Sequence, residues 1–226
     1  MKPLSHCLAL QLALCILLLV PCVASAQGFT VNGPFVPGRY SPLTGKERWQ
    51  RWWSEDGGSP AIHMDVTVLA SVLQADNDPP QWGRNTGGMA RRIGSEYGTF
   101  VIANSVHEGL GAAMGADPRY FACACKGFFP RTGHALEMTL LTYNRNGHRM
   151  LDLPALSGSY SSAMIGTLWW PSHYSPLVQG VQVGHLEVGL AGAVHVVQEF
   201  SPELKRFFHV GGHTADTAGM SARAKP

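Results

Sequence analysis

Along residues 60–200 the apolar side chains recur every three or four positions, and strand-like alternation is nearly missing. Ile62, Val66, Leu69 and Leu73 form one such series. Ser59-Pro60 in front of it has the form of a cap followed by proline in the first helical turn, and Asp78-Pro79-Pro80 closes it. A second helix is expected over 86–114, with Ile93, Tyr97, Phe100 and Asn104 on one side. Gly115-Ala116-Asp117-Pro118 marks its end. Residues 119–131 read as a loop and 132–143 as a helix ended by Asn144-Arg145-Asn146-Gly147. An extended link over 148–154 then leads to a helix over 156–169. Ser175-Pro176 opens a second long helix, 176–200, and Ser201-Pro202-Glu203 caps a last short one. Ahead of all these, Thr44-Gly45-Lys46-Glu47 has capping-box spacing and starts a helix to about residue 54. Trp49, Trp52 and Trp53 share one face of it, suited to packing. Polar side chains fall all round the 176–200 helix, as expected of a central helix touched on several sides. Gly180, Gly184 and Ala191 form a narrow stripe on it. Gly94 and Gly98 on the 86–114 helix have matching spacing, so these two helices are expected to pack closely. No internal repeat occurs. The class is all-α, a bundle of about six helices with glycine-rich helix contacts.

The two ends of the chain read differently. Lys2, an apolar run over residues 8–20 and Val23-Ala24-Ser25-Ala26 have the form of a secretory signal cleaved after Ala26. The run is short for a membrane span. The expected organisation is a signal peptide over 1–26, an extended leader over 27–43 and a helical domain over 44–208. A flexible tail of Gly, Ala, Thr and Ser over 209–226 follows. Export places the protein in the periplasm or at the outer envelope.

Composition narrows the function. The chain has 226 residues, 45% hydrophobic and 14% charged, enough for one domain with a core. Seventeen basic residues against fifteen acidic ones leave a net charge of +2 and no basic stripe, which argues against nucleic acid as a partner. Cys7, Cys15 and Cys22 lie in the signal, so Cys123 and Cys125 are the thiols of the mature chain. In an oxidising compartment they are expected to form a labile disulfide, because residues two apart stand near the outer limit of its reach.

Several blocks in order carry a resemblance over residues 41–204. They are Leu43-Thr44-Gly45-Lys46-Glu47-Arg48-Trp49, Pro79-Pro80-Gln81-Trp82-Gly83, Ala116-Asp117-Pro118-Arg119-Tyr120-Phe121, Trp169-Trp170-Pro171, Pro176-Leu177-Val178-Gln179-Gly180-Val181-Gln182 and Glu199-Phe200-Ser201-Pro202-Glu203-Leu204. On these blocks the chain resembles a family of uncharacterised secreted proteins found mainly in acidobacteria. The resemblance implies export and a helical domain. It brings no activity and no catalytic residues.

Candidate chemistry is sparse. His107-Glu108 begins like a zinc-protease helix, but Gly111 stands where the second histidine belongs. Asn104 with Glu108, His134 with Glu137, and His195 with Glu199 pair polar groups on common helix faces. Their order does not match the Glu-x-x-His of di-iron bundles. His107, Glu108, His134, Glu137, His195 and Glu199 are therefore the catalytic candidates, should these helices converge. Arg119, after a helix end, is a candidate anion clamp, although no glycine nest or second basic residue adjoins it. Cys123 and Cys125 are the disulfide or redox candidates. No serine elbow, phosphate loop or dinucleotide motif is present, and neither a cofactor nor a metal is expected. The preferred reading is a non-enzymatic structural or interaction protein of the cell envelope, its partner an envelope protein or the membrane surface. The alternative is a hydrolase or metal-dependent enzyme using the His/Glu pairs.

Overall fold

The computed structural model describes residues 32–57 and 60–207. The signal peptide, residues 27–31 of the leader, the Ser59 cap and the 209–226 tail lie outside these. The architecture is all-α: seven α-helices occur among the described residues, joined by short 3-10 turns and one small hairpin.

Helix α1 (Gly45–Arg51) starts on the expected capping box: Glu47 N–H donates to Thr44 Oγ1 at 3.3 Å and Thr44 N–H to Glu47 Oε2 at 2.7 Å. It runs into a π-helical turn, Trp52–Gly57. Helix α2 (Pro60–Asp76) ends where Asn77 adopts a left-handed conformation, φ 57°. Helix α3 (Thr86–Met114) is capped by Asn85, whose Oδ1 accepts from Gly88 N–H at 2.8 Å. Gly115, at φ 73°, terminates it. Arg92 of α3 is fully buried and donates to the carbonyls of Asp78, Pro79 and Gly83 at 2.7–2.9 Å. It thereby ties the proline loop to the helix.

Helix α4 (Phe128–Glu137) begins four residues before the expected start and stops six before the expected end. Residues 141–143 are instead strand β1 (Leu141–Tyr143), paired antiparallel with β2 (Arg149–Leu151). The expectation of helix up to residue 143 is corrected here. Asp117 N–H donates to the Tyr143 carbonyl at 2.8 Å, and Thr142 Oγ1 bonds the Asp117 carbonyl. These long-range partners hold the segment extended. Helix α5 (Leu153–Gly166) starts three residues early because Asp152 caps it, accepting from Ala155 N–H at 3.0 Å. A 3-10 turn, Thr167–Trp169, follows. Helix α6 (Pro176–Glu199) and helix α7 (Ser201–Phe207) complete the chain.

Helix α5 is the middle layer. It packs against α3 on one side and α6 on the other, while α2 lies on α3 and α4 on α6. Glycine allows the close approach. A Cβ at Gly158 would stand 2.6 Å from the Ala103 carbonyl oxygen, and one at Gly184 would stand 2.8 Å from Tyr160 Cε1. The α6 stripe therefore faces α5, not α3 as its spacing suggested. Gly94 has open space beside it and Gly98 faces the Trp169 ring. Trp169 and Trp170 both donate from Nε1 to Ser95 Oγ, at 3.0 and 2.9 Å, anchoring that end of α5 to α3.

Residues 32–43 of the expected extended leader pack onto the domain. Asn32 bridges to Phe121, and Phe35 stacks on Tyr143 with ring centroids 3.8 Å apart. Both aromatics, with Tyr120, Ala135, Met138 and Val196, belong to the apolar core under α4 and the hairpin. Trp49 of α1 stacks on Trp52 and Trp53 of the turn after it, but their face is not packed away: Trp49 is 65% and Trp53 62% exposed.

Candidate functional site

Polar chemistry concentrates at one end of the α3–α5–α6 stack, around Tyr120. Helix α6 delivers Glu199 to this point, 1% exposed. Its carboxylate accepts from the Tyr120 hydroxyl at 2.5 Å, from Cys123 N–H at 3.0 Å and from Arg131 Nε at 3.2 Å. Such charge-assisted bonds offset the cost of burying the carboxylate. Burial, and then the Glu199 charge, push the Tyr120 phenol well above its ordinary range. Arg131 also bonds Glu203 at 2.6 Å, and that bond leads the causes raising its pKa. His134 Nδ1 lies 3.7 Å from Glu199 Oε2, buried and with no hydrogen-bond partner.

His195, one turn earlier on α6, stacks on the Tyr120 ring at 4.6 Å. Its Nδ1 is 3.2 Å from Thr139 Oγ1. Burial lowers its pKa to about 4, so the ring is neutral at pH 7. Beside it opens a cavity of about 200 Å³ between α3, α5 and α6. His107 of α3 lines the cavity, its Nε2 4.0 Å from Asp152 Oδ1. Burial holds His107 below its usual range despite that carboxylate.

Two further carboxylates belong to the other half of the stack. Burial raises Glu96 of α3 to about 7 and Glu187 of α6 to about 8. Their mutual repulsion adds to the Glu187 shift, while the Ser159 and Ser162 hydroxyls of α5 pull it the other way.

The sequence candidates are therefore regrouped. His134, His195 and Glu199 meet around Tyr120, and His107 lines the cavity that His195 and Tyr120 also line. Glu108 turns aside to Arg48 at 3.3 Å, and Asn104 donates to the Phe100 carbonyl. Glu137 stands on the surface, paired with Arg149 at 2.7 Å. None of the intrahelical pairs read from spacing acts as a pair. Arg119, the candidate anion clamp, is occupied within the chain. Its guanidinium is closed in a fork on Asp117, at 2.9 and 2.6 Å, and bonds the Ser41 carbonyl. Cys123 and Cys125 form a disulfide beside Glu199. Among the described residues no cluster of three or more His, Cys, Asp and Glu side chains is arranged to hold a metal ion.

Tyr120, Arg131 and Asp152 escaped the sequence reading as site residues. Arg131 lies 68 positions from Glu199, so nothing local marks it. Asp152 before Leu153-Pro154 did carry a signal, that of a cap followed by proline.

Large apolar side chains are exposed among the described residues. Phe129 is 83%, Leu168 72% and Leu177 66% exposed, besides Trp49 and Trp53. No helix among the described residues is long and apolar enough to cross a membrane. No family model, curated protein or solved structure matches the chain.

Proposed function

We propose that this chain is an exported helical protein of the cell envelope that acts by binding other envelope components, as a structural or interaction protein. The observation that carries the reading is a division of labour. Three of the charged candidates are engaged with partners: Glu199 with Tyr120 and Arg131, Arg119 with Asp117, Glu108 with Arg48. Large apolar side chains, by contrast, remain uncovered on α1, α4 and the start of α6. Uncovered apolar surface of this kind marks contact sites. Export rests on Lys2, the 8–20 run and Ala24-Ser25-Ala26, and on the resemblance to secreted proteins.

The test is cell fractionation with mass spectrometry of the N-terminus, combined with photocrosslinking from Trp53 and Leu177 in intact cells. The expected result is a chain starting at Gln27 in the envelope fraction, with discrete crosslinked species from both positions and none from buried Ala135. An intact Met1 in the cytoplasm, or crosslinks from neither surface position, would sink the proposal.

A further inference from the structure

The cavity beside Tyr120 exists because the helices around it carry small side chains. Ala103 of α3, Ala155 of α5 and Ala191 of α6 all line it, and exposed Ala191 stands at its mouth. With Met138 and Leu141 they make an apolar wall. A volume of about 200 Å³ equals roughly six or seven water molecules, below the ~300–1,000 Å³ of sites for larger ligands.

The polar wall is rich in acceptors and carries an unbalanced negative charge. Asp117, Arg119 and Asp152 bring formal charges to the lining, and the Arg119 fork on Asp117 cancels two of them. The two imidazoles are held neutral by burial. Asp152 is left: its Oδ1 accepts from Ala155 N–H, and His107 Nε2 stands 4.0 Å away. His195 adds an acceptor. The Thr139 hydroxyl donates to the Ala135 carbonyl at 3.0 Å, so Thr139 Oγ1 accepts from His195 Nδ1–H, and Nε2 keeps its lone pair. Asn104 donates one of its two amide N–H groups to the Phe100 carbonyl, and its oxygen is a further acceptor. An anion entering here meets no free cation among the lining residues. A cation with N–H donors meets a carboxylate and two neutral acceptors.

We infer that this cavity binds a small primary ammonium ion bearing a short apolar arm, its ammonium group on Asp152 and its arm against the alanine wall. This goes beyond the envelope role and does not depend on it. The probes are n-butylammonium chloride, sodium butyrate and butan-1-ol, titrated calorimetrically at pH 7.5 and constant ionic strength into protein purified from cells expressing the full chain. The expected result is saturable one-to-one binding of butylammonium, with butyrate and butanol bound about tenfold or more weaker. Asp152→Asn keeps a residue that caps α5 well and removes the charge, and should weaken butylammonium about tenfold. Ala191→Leu fills the mouth from an exposed position. It should abolish binding while the melting temperature stays within a degree or two of wild type. Absent butylammonium binding, equal binding of the three probes, or undiminished binding by either variant would overturn the inference.

Discussion

Helices α3, α5 and α6 pack in two different ways along their shared length. Towards the tryptophan end, glycines at 166, 180 and 184 let the helices touch, with Thr99, Met164 and Tyr160 lying where a Cβ would be. Towards the Tyr120 end, Gly158 still meets Ala103 closely, but alanines at 103, 155 and 191 line a gap and the stack parts around a cavity bordered by His107, Asp152 and His195. One half is held by fit between surfaces, the other by hydrogen bonds among buried polar groups. Fit punishes any added atom, whereas a polar network punishes any lost partner.

Removing Glu199 should do the most damage. Glu199→Ala leaves the Tyr120 hydroxyl, Cys123 N–H and Arg131 Nε without their shared acceptor, and should cost about 3–5 kcal/mol in urea unfolding. A cost below ~1 kcal/mol would mean the polar half holds nothing together. In the fitted half, Gly184→Leu should cost about 1–3 kcal/mol or more, because even the Cβ meets the Tyr160 ring. Gly184→Ala should destabilise as well, while Gly189→Ala, where a Cβ meets open space, should stabilise by about 0.5–1 kcal/mol. If the two alanine variants behave alike, the close α5–α6 contact is wrong. Opening the disulfide should matter about as little. The ring closed by Cys123 and Cys125 is tiny, so the double serine variant should lose at most ~1.5 kcal/mol of loop entropy.

The subtlest contrast lies in pH dependence, where the halves have opposite signs. Glu187 is raised from 4.5 to about 8, so its stabilising share is complete below pH 4.5 and fades as pH rises through 8. His195 is lowered from 6.5 to about 4, so its share is complete above pH 6.5 and fades as pH falls through 4. Urea midpoints measured from pH 4 to 9 should flatten on the alkaline side in Glu187→Gln and on the acid side in His195→Gln. Unaltered profiles would contradict the buried placement of these groups.

Much of the helical frame was legible because it is written locally. Asn85 and Gly115 bracket α3, and Ser175-Pro176 opens α6 at the observed residue. What failed depends on distance. Residues 141–143 resemble the end of a helix by themselves and become a strand because residues 149–151 pair with them and Asp117, 25 positions before Thr142, bonds them too. The glycine stripe of α6 was visible, but spacing cannot say which helix fills it, and Tyr160 of α5 does. At the site, His134, His195 and Glu199 were named for intrahelical pairing. They in fact meet through Tyr120, a loop residue on none of those helix faces. Helical periodicity reports which side chains share a face, not what comes to rest against it.

The docked segment ahead of α1 has a consequence in time. Its bonds span long stretches of chain: Asn32 to Tyr120 over 88 positions, Tyr40 to Asp117 over 77 and to Asn144 over 104. Closing loops of this size is entropically costly and slow relative to forming a helix. Phe35 and Tyr40 are thus among the first described residues to be synthesised and among the last able to settle, since Tyr143, on which Phe35 stacks, and Asn144, whose carbonyl Tyr40 bonds, emerge about a hundred residues later. A chain threaded N-terminus first through a translocation channel would keep this leading end open until the hairpin has crossed, and assembly would begin on the far side.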